Sequence, residues 1–253
     1  MQTFNHNNNL NNPDYFQPFF IGLLEGDGSI SLGRRGTISH PVFRIDLTYN
    51  IENYSMLELL SKSIGGKIYY INNKRGNDQI AWKAVSQKDV KNILNILERY
   101  PLLTSRKICQ LEHLKQCMID RSWNLHLQTR DSKYLNQQKL IKHYNQSFEI
   151  PEYFGPWLSG FVEAEGCFRF TTNYVSLEIS QNHDWYILNA IKQYLNSHHK
   201  IGIDRRSSPN HYRIAITGRP TVQSVIKHFE MNPLLGSKKI SYETFCSKFY
   251  KNK

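Results

Sequence analysis

Sixteen residues beginning at Pro13, PDYFQPFFIGLLEGDG, return at Pro151 as PEYFGPWLSGFVEAEG, and both copies end in acid, small residue, acid, glycine. The two starts lie 138 positions apart. A second echo follows, YPLLTSRK from Tyr100 and NPLLGSKK from Asn232, here 132 apart. The offset shrinks by six, 138 minus 132, so the second copy lacks about that many residues, and a hairpin loop absorbs such a loss most easily. The chain is therefore a tandem duplication. Two copies of this length make two pseudo-symmetric domains, since solenoid repeats are shorter and more numerous. The expected division is a first domain over 1–119, a linker over 120–150 and a second domain over 151–253.

Composition limits what such a pair of domains can do. With 253 residues, 40% hydrophobic and 13% aromatic, the chain can bury proper cores. Lys plus Arg number 32 against 21 Asp plus Glu, a net charge of +11 that favours a polyanionic partner, nucleic acid first. Simple solubility is the bland alternative. No apolar run reaches membrane-spanning length, and the Asn-rich start MQTFNHNNNLNN lacks the basic and apolar regions of a secretory signal. A soluble intracellular protein is expected. Cys109, Cys117, Cys167 and Cys246 are scattered without a C-x-x-C pair, so neither a disulfide framework nor a zinc site is indicated. The ten His residues show no metal-ligand spacing and receive no chemistry. Abundant Asn, Ile, Lys and Tyr fit an AT-rich coding genome such as that of an organelle, for example a mitochondrion.

Each repeated segment reads as a helix. Pro18 and Pro156 suit a first helical turn, and Gly28 and Gly166 stop the helix after the acids. Small residues recur four apart, Gly22 with Gly26 and Gly160 with Ala164, leaving a bare stripe where two backbones can meet. Phe20, Leu23, Leu24, Leu158, Phe161 and Val162 cover the remaining surface and anchor each helix in its own half. Side by side, the helices bring Asp27 and Glu165 together beside the Gly26 and Ala164 carbonyls, which lack intrahelical partners. Paired carboxylates at negative helix ends repel unless protonated or bridged, which suits a hard divalent cation. Glu25 and Glu163 fall about 200° further round and read as supporting polar groups. A lone Asp-Gly would be only a turn signal, but its recurrence argues for a metal-bearing seam. A dinucleotide loop does not fit, because a helix precedes G-D-G and no glycine stands at Ser31.

After each motif come alternating strands and shorter helices, giving α-β-β-α-β-β-α-α in each half, an α+β fold with one antiparallel sheet per domain. One sheet face must pack on helices. The other offers Arg34, Arg35, Arg44, Lys67, Tyr69, Lys74, Arg75 and Lys83 in the first half. In the second half it offers Arg169, Thr171, Ser176, Glu178, Lys200, Arg205, Arg206 and Arg213. Such mixed polar faces can read base edges in a major groove, and taken singly they can also be ordinary solvated strand faces. The basic stretch Asp120 to Glu149 reads as a linker, helical around Tyr134 to Tyr144.

With FIGLLEGDG at Phe20 to Gly28 and LSGFVEAEG at Leu158 to Gly166, the chain resembles the LAGLIDADG homing endonucleases of the monomeric two-motif kind. The resemblance spans nearly the whole chain, the P-L-L echoes included. It implies two αββαββα(α) domains packed through the motif helices, with curved antiparallel sheets forming a DNA saddle. It implies that Asp27 and Glu165, with the Gly26 and Ala164 carbonyls, hold Mg²⁺, for which Mn²⁺ or Ca²⁺ can substitute in binding. It further implies a basic and an amide group near the reacting phosphates; by position these are Lys88 and Gln181, whose counterparts in the other copy are Arg219, near Pro220, and Ile51. The implied reaction is hydrolysis of one phosphodiester on each strand of duplex DNA across the minor groove, leaving short 3′ overhangs. Members of this family can also act as maturases that bind their own intron RNA. Both motif acids are present here, which favours the nuclease, and no appended helix-turn-helix suggests a transcription regulator.

Overall fold

The computed structural model describes residues 12–73, 76–172, 174–204 and 209–251. Lys74, Arg75, Arg205 and Arg206, four of the basic residues expected on the sheet faces, lie outside the described residues. The first half runs α1 (Pro13–Gly26), β1 (Gly28–Arg35), β2 (Ile38–Thr48), α2 (Ile51–Ile64), β3 (Lys67–Ile71), β4 (Gln79–Ala84), α3 (Gln87–Arg99) and α4 (Ser105–Asp120). Two helices join the halves, α5 (Trp123–Thr129) and α6 (Gln137–Ser147). The second half repeats the order with α7 (Phe154–Glu165), β5 (Gly166–Phe170), β6 (Val175–Asn182), α8 (Trp185–Tyr194), β7 (Gly202–Ile203), β8 (His211–Ile216), α9 (Arg219–Met231) and α10 (Lys238–Lys251). Each half carries a four-stranded antiparallel sheet, ordered β1-β2-β4-β3 and β5-β6-β8-β7. This is the α+β duplication expected from the sequence.

Local chemistry sets the element ends. The Asn12 side chain accepts from the Asp14 N–H at 3.0 Å, and Pro13 occupies the first turn of α1, where its missing N–H costs nothing. Pro18 therefore lies inside α1, one turn later than the sequence suggested, because the helix starts at the earlier Asn-Pro pair. Pro156 does fall in the first turn of α7. At the end of α2 the chain turns through Gly65 and Gly66 with φ +102° and +85°. A Cβ on Gly66 would lie 2.6 Å from the Trp82 ring, whose indole N–H donates to the Gly65 carbonyl at 2.8 Å. Glycine is needed there both for the positive φ and for the close approach.

Strand register locates the missing residues. Gly28 pairs with Ile45, 17 positions on, whereas Gly166 pairs with Ile179, 13 positions on. The first hairpin thus accounts for four of the six. Ile45 in turn pairs with Trp82, 37 on, and Ile179 with Ile214, 35 on, which accounts for the other two. The counterpart of Gln181, two residues beyond Ile179, is consequently Leu47 and not the expected Ile51.

The inward faces follow the two-residue strand period. Ile30, Phe43, Ile45, Ile80, Trp82 and Ala84 are buried in the first sheet, and Phe168, Leu177, Ile179, Ile214 and Ile216 in the second. Both sets belong to one continuous apolar cluster with α1 and α7 at its centre. The seam between these helices is built from missing side chains. A Cβ on Gly22 would lie 1.9 Å from the Trp157 carbonyl oxygen, and one on Gly160 would lie 1.9 Å from that of Phe19. Backbone meets backbone at two symmetric points, so any larger residue must force the halves apart. Among the described residues no helix is long and apolar enough to cross a membrane.

Candidate active site

The seam carries the two motif acids to one place. Asp27 immediately follows α1, and Glu165 is the last residue of α7. A Cβ on Gly26 would lie 2.2 Å from the Ala164 Cβ and 3.3 Å from the Glu165 Cγ, so Glu165 overhangs the end of α1. Burial raises the pKa of Asp27, with Lys238 and Lys107 pulling it back down. Burial also raises that of Glu165, the charge of Asp27 raises it further, and Lys107 and Lys238 oppose the rise. Two carboxylates that feel each other's charge, beside helix-end carbonyls, form a hard-oxygen donor set suited to a divalent cation. Asp27, Glu165 and the carbonyls of Gly26 and Ala164 are the groups that would hold it.

The first acid of each motif has a different task. Glu25 is buried and accepts from the N–H groups of Leu103 at 2.8 Å and Thr104 at 2.6 Å, from the Thr104 hydroxyl at 2.8 Å and from the Trp157 indole at 2.6 Å. Glu163, also buried, accepts from the N–H groups of Gly236 at 2.7 Å and Lys238 at 3.3 Å. Each therefore fastens the P-L-L echo of its own half beneath the seam. Burial lifts both to about 7, against the pull of these donors. The echoes are tied across the halves as well. Ser105 N–H donates to Asp184 at 3.0 Å, and Ser237 N–H donates to Asn53 at 2.9 Å.

This anchoring delivers two lysines that sequence reasoning missed. Lys107 is buried and donates to the Gly28 carbonyl, next to Asp27. Burial lowers its pKa, while Glu25, Glu165 and Asp27 push it back up. Lys238 acts electrostatically on both Asp27 and Glu165. The two are not equivalent positions, since an offset of 132 aligns Lys107 with Lys239 and Lys238 with Arg106. The one signal that could have found them is the basic end of a recurring loop.

Of the auxiliary candidates, Gln181 sits in β6 two residues past the partner of Gly166, and its amide bonds Asp184, the residue that caps Ser105. Lys88 is exposed in the first turn of α3, four residues beyond Ala84. Ala84 pairs with Phe43 opposite Ile30, and Gln87 lines a pocket with His40 and Pro41, so Lys88 belongs to the hairpin end of the sheet, away from the acids. Arg219 stacks on the Phe249 ring at 5.0 Å.

The proposed sheet-face residues divide by register. Arg44, Lys83 and Lys67 stand side by side on adjacent strands, in the row next to Gly28, and Tyr69 is exposed in the neighbouring row. Arg35 is exposed near the hairpin end. Arg34 has the opposite parity and lies over the Trp123 ring at 5.9 Å, donating to the Gly36 carbonyl at 2.8 Å. In the second sheet Arg169 and Arg213 both bind one oxygen of Glu178, at 2.6 and 2.5 Å. Thr171 bonds back to Tyr174 in a turn, and Lys200 is exposed ahead of β7. Ser176 is only 1% exposed and its hydroxyl has no hydrogen-bond partner, so it is not presented to any partner in this structure.

The sequence model of the family described as LAGLIDADG endonuclease matches residues 20–117 and 158–249, the two halves in turn. A probable intron-encoded endonuclease aI3 of Dictyostelium citrinum is 34% identical over 91% of this chain and 94% of its own. A protein of the same name from Debaryomyces hansenii is 32% identical over 95% of this chain, which spans only 40% of that longer relative. The crystal structure of the I-LtrWI LAGLIDADG homing endonuclease bound to target DNA superposes with a TM-score of 0.69 at 18% identity, covering 94% of this chain and 91% of that one. The doubled motif, the double family match and the shared architecture agree: this chain belongs to the LAGLIDADG endonuclease family.

Proposed function

We propose that the chain is a site-specific endonuclease that cuts both strands of duplex DNA with the help of Mg²⁺. The observation that carries this reading is the meeting of Asp27 and Glu165, one from each half, under the opposing influence of Lys107 and Lys238. A cation bound there supplies Lewis acidity, lowering the pKa of a water and offsetting charge on phosphate oxygens. The protein's own groups do the rest. Asp27 and Glu165 fix two reaction centres about a pseudo-two-fold axis, one for each strand. Lys107 and Lys238 offset the charge that gathers on a phosphate during attack. Glu25 and Glu163 hold the lysine-bearing loops, and the Arg44, Lys83 and Lys67 row tracks the polyanion.

The relatives are named intron-encoded endonucleases, which favours DNA cleavage over the maturase alternative. Incubating the purified protein with Mg²⁺ and a plasmid library of intron-insertion sequences tests the proposal. Discrete double-strand cuts with 3′ overhangs are expected. Tight binding to the host intron RNA without any cut would overturn it.

A further inference from the structure

The junction between α4 and α5 brings together three side chains of metal-ligating type, different in kind from the acid pair. His113 and Cys117 lie four residues apart on one face of α4, and His126 on α5 closes the group. One ligand atom from each lies within 4.8 Å of the others. His113 Nε2 is 3.1 Å from His126 Nδ1 and 3.7 Å from Cys117 Sγ. A tetrahedral zinc ion with nitrogen at ~2.05 Å and sulfur at ~2.3 Å sets its ligand atoms about 3.3 to 3.6 Å apart. The two spacings from His113 fall on either side of those edges. The group contains no C-x-x-C pair, which is why the spacing of His and Cys in the sequence indicates no metal site; the pattern is H-x₃-C followed by a His on the next helix.

We propose that His113, Cys117 and His126 form a structural Zn²⁺ site that staples α5 to α4. Two imidazoles and a thiolate are the borderline-soft donors that select zinc over Mg²⁺. A pocket of about 330 Å³ opens beside the two imidazoles, leaving room for water as a fourth ligand. Binding replaces the thiol proton of Cys117, which is released to solvent, and fixes His113 as the Nδ1–H tautomer and His126 as the Nε2–H tautomer.

The fold gives this staple a purpose. α5 has no fully buried residue, and its apolar hold on the core rests on the partly buried Trp123 and Leu125. Its start is tied to the first hairpin through the bridge of Ser122 with Ile38 and the Trp123 N–H donated to Thr37 at 3.0 Å, with Arg34 over the Trp123 ring. A metal clamp on α5 therefore fixes the end of the hairpin that presents Arg35.

Co²⁺ titration of the chelator-treated full chain tests the site. We expect a thiolate-to-cobalt charge-transfer band that saturates at one equivalent and is displaced by Zn²⁺, together with a rise in Tm on adding Zn²⁺. Both signals should be lost in Cys117→Ser and in His126→Asn, the second variant guarding against misfolding because His126 is only partly buried. Asp27→Asn should retain both, which separates this site from the acid pair. Absence of the band in the wild type, its survival in Cys117→Ser, or an unchanged Tm with Zn²⁺ would overturn the proposal.

Discussion

On the first sheet, the row one step out from the motif acid carries Arg44, Lys83 and Lys67 across three adjacent strands. The same row of the second sheet carries Glu178 and Ala215, and Glu178 holds Arg169 and Arg213 to one of its oxygens. Beneath these faces the halves are nearly interchangeable. A Cβ added at Gly22 or at Gly160 would meet an opposing carbonyl at the same distance, and Glu25 and Glu163 tie corresponding loops. The difference separates two kinds of constraint. Backbone contact at the seam tolerates no added atom, so both halves solve it alike. A solvated strand face accepts many side chains, so each half can present its own charge pattern to an asymmetric partner.

The largest effect should come from the shared floor. Asp27→Asn and Glu165→Gln should each reduce cleavage by at least ~10³-fold, the loss of several kcal/mol of charge stabilisation, while DNA binding persists. A large effect from one acid and none from the other, in strand-resolved cleavage assays, would break the claimed equivalence. Gly22→Ala and Gly160→Ala should destabilise by similar amounts, about 1–3 kcal/mol or more, read from urea midpoints. Unequal costs would show that the seam is less symmetric than its geometry.

The buried glutamates sharpen the comparison, because their donor sets differ. Glu25→Gln sets an amide N–H against donors on every side and should cost about 1–3 kcal/mol. Glu163→Gln has no indole to confront and should cost less. The pH dependence has a definite sign. Glu163 titrates near about 7 when folded against 4.5 for an ordinary side chain, so between these values the folded state holds the extra proton. Its contribution is fully present below the lower value and is lost as pH rises through the upper one. The stability deficit of Glu163→Gln relative to wild type should therefore shrink as pH rises through that window, and a constant deficit would contradict the assignment.

The smallest effects belong to the faces themselves. Replacing Lys67 or Lys83 with Ala should reduce the slope of log affinity against log salt by about 0.9 for each phosphate no longer neutralised. Arg169→Ala or Arg213→Ala should change it less, because Glu178 already neutralises part of their charge. Glu178→Gln should steepen the slope by releasing both. Equal slopes for all of these variants would erase the distinction between the two faces.

Duplication, the order of helices and strands, the small-residue stripe and the paired acids are all legible in the sequence, because they follow from periodicity and recurrence within short windows. What escapes it are meetings between distant segments. Glu25 reads as a second acid near a helix end until Leu103, Thr104 and Trp157 are seen to surround it. Lys107 and Lys238 reach the acids only because those glutamates position their loops. His113 and Cys117 carry no metal signal in the sequence, because His126 joins them only when α5 folds back. Leu47, and not Ile51, is the counterpart of Gln181 because four of the residues absent from the second copy fall before it, in the first hairpin, which only strand register reveals.

The most direct test of the shared floor is anomalous diffraction from crystals of the DNA complex grown with Mn²⁺. The account predicts Mn²⁺ at bonding distance from the carboxylates of both Asp27 and Glu165, between the helix ends and the DNA. Productive cleavage with Mn²⁺ bound elsewhere, and neither carboxylate among its ligands, would contradict it.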